Sequence, residues 1–518
     1  VLSFAASRVG SWMPCCDPKS EKRMQISCFD IPRAYFSAKL AEGTNTYAQL
    51  PPLDPGAAAY GWQEEYPSTL VSELNFVHGV AYPCLFKHSG RAIVISVHGD
   101  AFAAAGSKVD LDWYEAEMKK HYGLTTQPRL GPAPHDGKEA VVLNRIIRWC
   151  DHGLEYEADP RQVEKLLTEC GLTGANPVAT PGVRLSFAEV EKDNDLEKFR
   201  VTAFRGAAAR ANYLAADRID CQFAAKEICR WMSTPTENSW NALKRLCRYL
   251  AGLPRLVYTY GWQEVDAVDV YTDTDWAGCP RTRKSTSGGC VMLGKHTIKT
   301  WSTTQSSVSL SSGEAEFNGV VRGAGMGLGF QSLMRDLGQD APVRVWTDSE
   351  AVIGISSRQG LGELRHLDTH TLWTPHAVRS GRIDLRKVLG EANPADLFTK
   401  HSLSRERLKM LTGIFDCKFR DGRPDAAPQL RVAPSSKVTM ADTCSAEHEV
   451  RAVMPHLEYS KEELERLHPS IPAPEAVDEG DPQAEEVEPL LEEGLRLARD
   501  LVKTVEEQGR RRRLAESP

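Results

Sequence analysis

The spacing of apolar positions changes along this chain, and the changes mark its elements. VDVYTDTDWAG (268–278), GGCVMLG (288–294) and HTIKTWS (296–302) read as a strand ending in an acidic turn and then a hairpin. Ser311 and Glu314 have the spacing of a capping box, which predicts a helix with Glu316 in its first turns. VRVWTDS (343–349) and IDLRKVLG (383–390) predict two more strands, the first ending at Asp348, and NPADLFTK (393–400) a short helix carrying Asp396. Upstream, MQISCFDIPRAYFSAKL (24–40) approaches Asp30 through an apolar run, and AIVISVHGDAF (92–102) is a strand run that ends at Asp100. Residues 126–265 read as mostly helical. In SWNALKRLCRYLAG (239–252), Trp240, Leu243, Leu246, Cys247 and Leu250 form one apolar stripe, with Lys244, Arg245 and Arg248 off it. Beyond 403 the stretches PDAAPQLRVAPSSK (424–437) and HPSIPAPEAVDEGDPQ (468–483) read as linkers or disorder, and one helical repeat follows at 485–508.

The 518 residues suggest two to four domains, and 41% hydrophobic content suits ordinary cores. The net charge of −7 is unevenly distributed along the chain. Residues 456–518 hold 17 acidic and 9 basic residues, a net of −8, and the remaining 53 acidic and 54 basic residues net +1. The acidity belongs to the tail. The 13 cysteines include no Cys-x-x-Cys, which speaks against a zinc knuckle or a disulfide framework. No apolar run approaches the roughly 20 residues that span a bilayer, so no membrane contact is expected and the protein reads as intracellular, cytoplasmic or nuclear. Val1 in first place reads as a piece of a longer product.

Four acids from two strand ends and two helices offer the oxygen ligands that Mg²⁺ prefers, and a pair of such ions suits phosphodiester hydrolysis. Any one of them is equally an ordinary turn acid, and spacing leaves the choice open. Glu314 competes with Glu316 but has a capping role. Asp275, two residues beyond Asp273, is set aside as facing the other side of its strand.

TDTDWAG (272–278), RKSTSGG (283–289), SLSSGEAEF (309–317), RVWTDSEA (344–351), RHLD (365–368) and NPADLFTK (393–400) resemble, in order, the ribonuclease H domain of copia-type LTR retrotransposon polyproteins. The resemblance implies a ribonuclease H-like five-stranded mixed sheet with flanking helices, cleavage of the RNA strand of an RNA–DNA hybrid, and Mg²⁺ or Mn²⁺ held by Asp273, Glu316, Asp348 and Asp396. No histidine stands in the loop before Asp396, where cellular ribonucleases H place a helper.

FDIPRAYFSA, YAQLPP (47–52), YPCLFKH (82–88) and HGDAFAAAG (98–106) resemble the reverse transcriptase palm of the same family. This implies metal ligands at Asp30 and Asp100, and Tyr35 under the sugar of an incoming nucleotide. The family's second adjacent aspartate is replaced by Ala101, the segment between YAQLPP and YPCLFKH is short, and little sequence precedes Asp30, so little or no polymerase activity is expected. The expected class is α/β: a palm remnant at 1–125, a helical thumb and connection at 126–265, the ribonuclease H-like domain at 266–402, and a partly disordered linker and acidic tail at 403–518. Lys244, Arg245 and Arg248, with Arg200, Arg205 and Arg210, are a candidate face for nucleic-acid phosphates, or a solvated helix face. The 485–508 helix is a candidate for a protein partner. The alternative to a working nuclease is an inert remnant that only binds nucleic acid or, through its tail, another protein.

Overall fold

Val, Ile and Thr recur along Val268–Asp275, and such β-branched residues suit a pleated, half-buried surface. In the computed structural model, which describes residues 1–9, 23–32, 34, 55–358, 371–401 and 403–430, this segment is the third strand of a five-stranded sheet. Tyr35, the RHLD block, YAQLPP and the 485–508 repeat lie outside the described residues. The strand pairs antiparallel with Thr286–Leu293, which pairs with His296–Thr304, and on its other side parallel with Val343–Thr347, which pairs with Ile383–Lys387. The helix Ser312–Asp336 packs its Phe317, Val320 and Ala324 on Val270, Val291, Val343 and Val345 of this sheet. The mixed sheet with flanking helices is the expected α/β layout.

Residues 126–265 hold helices at Lys198–Ala215, Gln222–Cys229 and Glu237–Gly252, and also sheet that the apolar period did not reveal. Glu139–Val142, Arg145–Cys150, Gly153–Glu157, Arg255–Gly261 and Cys417–Arg420 form a five-stranded antiparallel sheet. Its strands are easy to miss because one face is charged. Glu155 and Glu157 are 3% and 2% exposed, yet Arg148 reaches Glu157 at 2.9 Å, Arg255 reaches Glu157 at 2.5 Å, and Arg420 donates to Glu155 at 3.0 Å. Each buried carboxylate is therefore paired, which is the condition for burying it.

The boundary expected at 403 does not coincide with the end of the body. The helix Arg405–Ile414 and the strand Cys417–Arg420 follow it, and Leu408, Leu411, Phe415 and Cys417 share one core with Phe204, Leu214, Leu243, Leu250, Leu397 and Phe398.

Residues 1–9 and the described part of 23–126 complete the body. Six strands, in the order 76–78, 85–88, 94–98, 101–106, 25–30 and 125–126, form an antiparallel sheet. Its core contains Phe29, Trp62, Tyr66, Phe86, Phe102 and Tyr114, so this region has kept a packed interior. The short segment between the family words forms a helix, Pro55–Ser68, whose Trp62 donates from Nε1 to Gly99 O at 2.9 Å. No helix of the described residues is long and apolar enough to cross a membrane.

His296 ties the start of the chain to the mixed sheet. Its Nε2 donates to Gly261 O at 2.8 Å, which leaves Nδ1 to accept from the hydroxyls of Ser3 at 2.9 Å and Ser7 at 3.1 Å. Burial lowers its pKa to about 4, against about 6.5 in the unfolded chain. Below pH 6.5 the unfolded state binds the extra proton, so this contribution is intact at neutral pH and declines as pH falls toward 4. We expect it to cost on the order of 2 kcal/mol between pH 7.5 and pH 5. Urea unfolding of wild type and His296→Gln at both pH values checks this: the wild type should lose more stability on acidification by about that amount.

Candidate metal centre

Asp273 sits two residues before the end of its strand and is 2% exposed. Glu316 is brought to it by a close helix–sheet approach. Gly319, Gly323 and Gly327 line the face of the helix toward the sheet, where a Cβ would lie 2.6 Å from Thr274 Oγ1, 2.4 Å from Thr272 Cγ2 and 2.6 Å from Val343 Cγ1. Only glycine permits that approach. Asp348 follows directly on the strand Val343–Thr347. Asp396 rides on the 3₁₀ turn Pro394–Phe398, capped by Asn393, whose Nδ2 donates to Thr272 O at 3.0 Å. Ser302 Oγ donates to Phe398 O at 2.7 Å and fixes the other end of that turn.

One oxygen each from Asp273, Glu316 and Asp348 lie within 4.8 Å of one another. Burial, then the charges of Asp273 and Asp348, push Glu316 up to about 9, and its Oε2 is buried without a hydrogen-bond partner. Burial and Asp273 also raise Asp348 and Asp396. Asp396 stands beside the trio and accepts from Arg407 Nη2 at 2.7 Å. The Lys400 ammonium reaches in at 3.0 Å from Asp273 Oδ2 and 3.7 Å from Asp396 Oδ1. Burial works against that ammonium, but Asp273, Asp396 and Glu316 outweigh it and raise its pKa. Thr399 Oγ1 donates to the same Asp273 oxygen. A buried orphan carboxylate oxygen within an all-oxygen, mutually repelling donor set fits a hard divalent cation.

Glu314 is absent from this group: its Oε2 accepts from Leu310 N at 2.8 Å, so capping is its role. The placement of Asp275 needs correction, because positions two apart in a strand share a face. Its carboxylate lies on the Asp273 side, within the field of Arg184 and Lys400, and Gly278 backs onto it where a Cβ would overlap Oδ2. Lys400, Thr399 and Arg407 were not picked out from the sequence. The block NPADLFTK held the signal for Lys400, four residues beyond Asp396 and so available to an acid on a helical turn.

Asp30 and Asp100 also come together. Asp30 ends the strand Gln25–Asp30, and burial, then the charge of Asp100, raises its pKa. The run 92–102 does not end at Asp100 as a single strand. It turns at Gly99 and Asp100 into a hairpin whose return strand opens with Ala101, paired to Asp30 and His98. Ala101 is 7% exposed and has no carboxylate to add.

The basic face has other partners. Arg245 donates to Thr180 at 2.8 Å and Arg248 to Asn176 O at 2.7 Å, which clamps the Pro-rich 175–182 segment, and Lys244 is half-buried. Arg205 donates to Met232 O at 2.7 Å, Arg210 pairs with Glu169 at 2.7 Å, and Arg200 pairs with Glu197 at 2.9 Å and also with Glu237. Arg200 and Arg210 are thus paired with carboxylates, whereas Arg205, Arg245 and Arg248 donate to neutral oxygens and keep their charge. A second donor trio, Cys150, His152 and Glu155, also lies within 4.8 Å, but Glu155 is already neutralised by Arg420 and stands 3.7 Å from Arg148.

No family model matches the chain. Over 348 residues it is 30% identical to the retrovirus-related Pol polyprotein from transposon RE2 of Arabidopsis thaliana, a match covering 66% of this chain and 23% of that protein. Over 352 residues it is 22% identical to the retrovirus-related Pol polyprotein from transposon TNT 1-94 of Nicotiana tabacum, covering 65% of this chain and 26% of that protein. The chain thus spans about a quarter of the length of these relatives. Among solved structures, the N-terminal RNase H domain of Rv2228c from Mycobacterium tuberculosis, fused to maltose-binding protein, is 17% identical, with 29% of this chain and 97% of that chain covered and a TM-score of 0.19. A score of that size has no bearing on the assignment, which rests on the polyprotein relatives. The chain belongs to the retrovirus-related Pol polyproteins of copia-type transposons.

Proposed function

We propose that the protein hydrolyses the RNA strand of RNA–DNA hybrids at the Asp273 centre, leaving a 3′ hydroxyl and a 5′ phosphate. The observation that carries this reading is the meeting of three carboxylate oxygens within 4.8 Å, with Asp396 beside them. Asp273, Glu316, Asp348 and Asp396 would hold Mg²⁺ or Mn²⁺, which supplies an activated water and charge neutralisation at the leaving oxygen. The residues' own work is positional. The glycine-faced helix keeps Glu316 against Asp273, Asn393 and Ser302 fix the turn of Asp396, and Thr399 orients one Asp273 oxygen. The palm, with Ala101 in place of a second acid, is proposed to be inactive as a polymerase. Cleavage of a labelled hybrid by the full chain in Mg²⁺, abolished by chelation and unaccompanied by primer extension, is the test; a folded protein that binds hybrid without cutting it sinks the reading.

Lys400 supplies a check that needs no substrate. Its ammonium neutralises carboxylates that a divalent ion would otherwise satisfy, so protein and metal compete for the same charge. We expect Lys400→Gln to lower the melting temperature of the chelated protein by a few degrees and to enlarge the upward shift on adding Mg²⁺. Differential scanning fluorimetry across a Mg²⁺ titration reads both, and an unchanged shift would rule out this competition.

A further inference from the structure

We propose, on the hybrid-hydrolase reading above, that the loop 276–284 is a nucleic-acid backbone site in which Arg281, Arg283 and Lys284 take phosphates beside the metal centre. The loop, WAGCPRTRK, joins the Asp273 strand to its antiparallel neighbour and carries three cations and no acid.

Three observations carry this. First, most arginines of the helical region are tied to carboxylates or carbonyls, Arg245 with its Thr180 hydroxyl being an exception, whereas none of these three loop cations forms an ion pair with a described carboxylate. Arg281 lies 4.8 Å over the Trp231 ring and reaches Thr234 Oγ1 at 3.3 Å, and Arg283 lies 5.4 Å over the Phe187 ring. Stacking on rings orients a guanidinium while leaving its charge uncompensated.

Second, the loop is held in a costly shape. Ala277 and Arg283 have φ of 52° and 56°, a left-handed region that non-glycine residues rarely occupy. Ala277 N donates to Ser285 Oγ at 3.0 Å, Arg283 N to Cys279 O at 2.9 Å, Cys279 N to Lys284 O at 3.2 Å and Thr282 N to Cys279 Sγ at 3.3 Å. Strain maintained by that many bonds presents the cations in one arrangement before any ligand arrives.

Third, the surroundings suit a polyanion leading to the metal centre. Trp276 follows Asp273 by three residues, just past the strand's end, and so lies at most about 10 Å from it at a strand's rise per residue. That is about three nucleotides of one duplex strand, at 3.4 Å each along the axis. Trp276 is 48% exposed, with its Nε1 donating to Ser309 O at 3.1 Å, so a ring face stands ready for a sugar or base. Exposed Arg184, in the field of Asp275 together with Lys400, extends positive charge back toward the centre.

The test is binding of a fluorescent RNA–DNA hybrid to the full chain in EDTA, followed by anisotropy across a salt titration. Arg281→Gln/Arg283→Asn/Lys284→Gln is compared with wild type, asparagine being chosen because it tolerates positive φ. With three phosphates no longer neutralised, the slope of log K against log salt should fall by about 2 to 3, and affinity near 0.1 M salt by roughly tenfold or more. A variant of wild-type melting temperature whose slope and affinity stay within about twofold of wild type overturns the proposal. If the triple variant fails to fold, Arg281→Gln and Lys284→Gln alone should each lower the slope by about one. A wild-type chain with no affinity for hybrid overturns it as well and redirects the loop to a protein partner. Failure of the hydrolase reading looks different: in Mg²⁺ the wild type binds with the full salt slope and does not cut.

Discussion

Asp348→Asn is expected to reduce cleavage of RNA in a hybrid by about three orders of magnitude or more, while the metal-free protein becomes slightly more stable. Both signs follow from one geometry. Asp348 shares a site with Asp273 and Glu316, and burial and Asp273 hold its pKa above the ordinary range, so its negative charge is a cost to the metal-free fold. An amide of the same shape removes that repulsion and leaves the strand Val343–Thr347 undisturbed. It also removes one of the charges that a divalent ion needs, and the loss should fall on the chemical step. Wild type and variant are compared by hybrid cleavage at saturating Mg²⁺ and by melting in EDTA. Lost cleavage with an equal or higher melting temperature supports the assignment; retained cleavage shows that Asp348 is a turn acid beside a site that does not use it.

The largest expected effect on stability lies away from the chemistry. Arg218 is 1% exposed and donates to Asp220 from Nε at 2.9 Å and from Nη2 at 2.7 Å, and its remaining bonds go to Leu253 O at 2.9 Å and Pro254 O at 3.0 Å. Tyr249 donates to the same carboxylate at 2.8 Å. Asp220→Ala would leave a guanidinium in an apolar interior without its counter-charge, which costs about 3 to 5 kcal/mol. Replacing both partners, Arg218→Met with Asp220→Leu, should recover most of that, because the charge no longer has to be buried. Urea unfolding of the three variants reads the difference. Equal losses in the single and double variants would show that packing around Arg218, rather than its charge, supports the core.

The mixed sheet that holds Asp273 was legible because its strands alternate in the ordinary way and lead into acids, and because Ser311 and Glu314 mark the helix that delivers Glu316. The sheet containing Glu155 and Glu157 was not. Its charged positions are buried by pairing with Arg148, Arg255 and Arg420, the last from a segment 265 residues away, and no local period records such a partner. Arg407 was missed for the same reason, whereas Lys400 carried a local signal in its spacing of four from Asp396. Asp275 was misplaced by a slip in strand periodicity, which the register of its strand corrects. The hairpin at Gly99 was hidden inside one continuous apolar run, where only the glycine signals the reversal. The arginines at 200–248 looked free because an amphipathic pattern shows which residues avoid the core and is silent on what they hold.

The strand Cys417–Arg420 closes the edge of a sheet begun at residue 139, and the helix before it holds Arg407 against Asp396. The family words stop at Lys400, yet a piece cut there would lack the clamp on its fourth acid and the inner layer that Leu408, Leu411 and Phe415 provide. The unit of inheritance for this centre is therefore larger than its signature. A recombination or processing event that respects the motifs and severs the chain between Lys400 and Arg420 would carry away the recognisable words and leave behind part of what makes them a site.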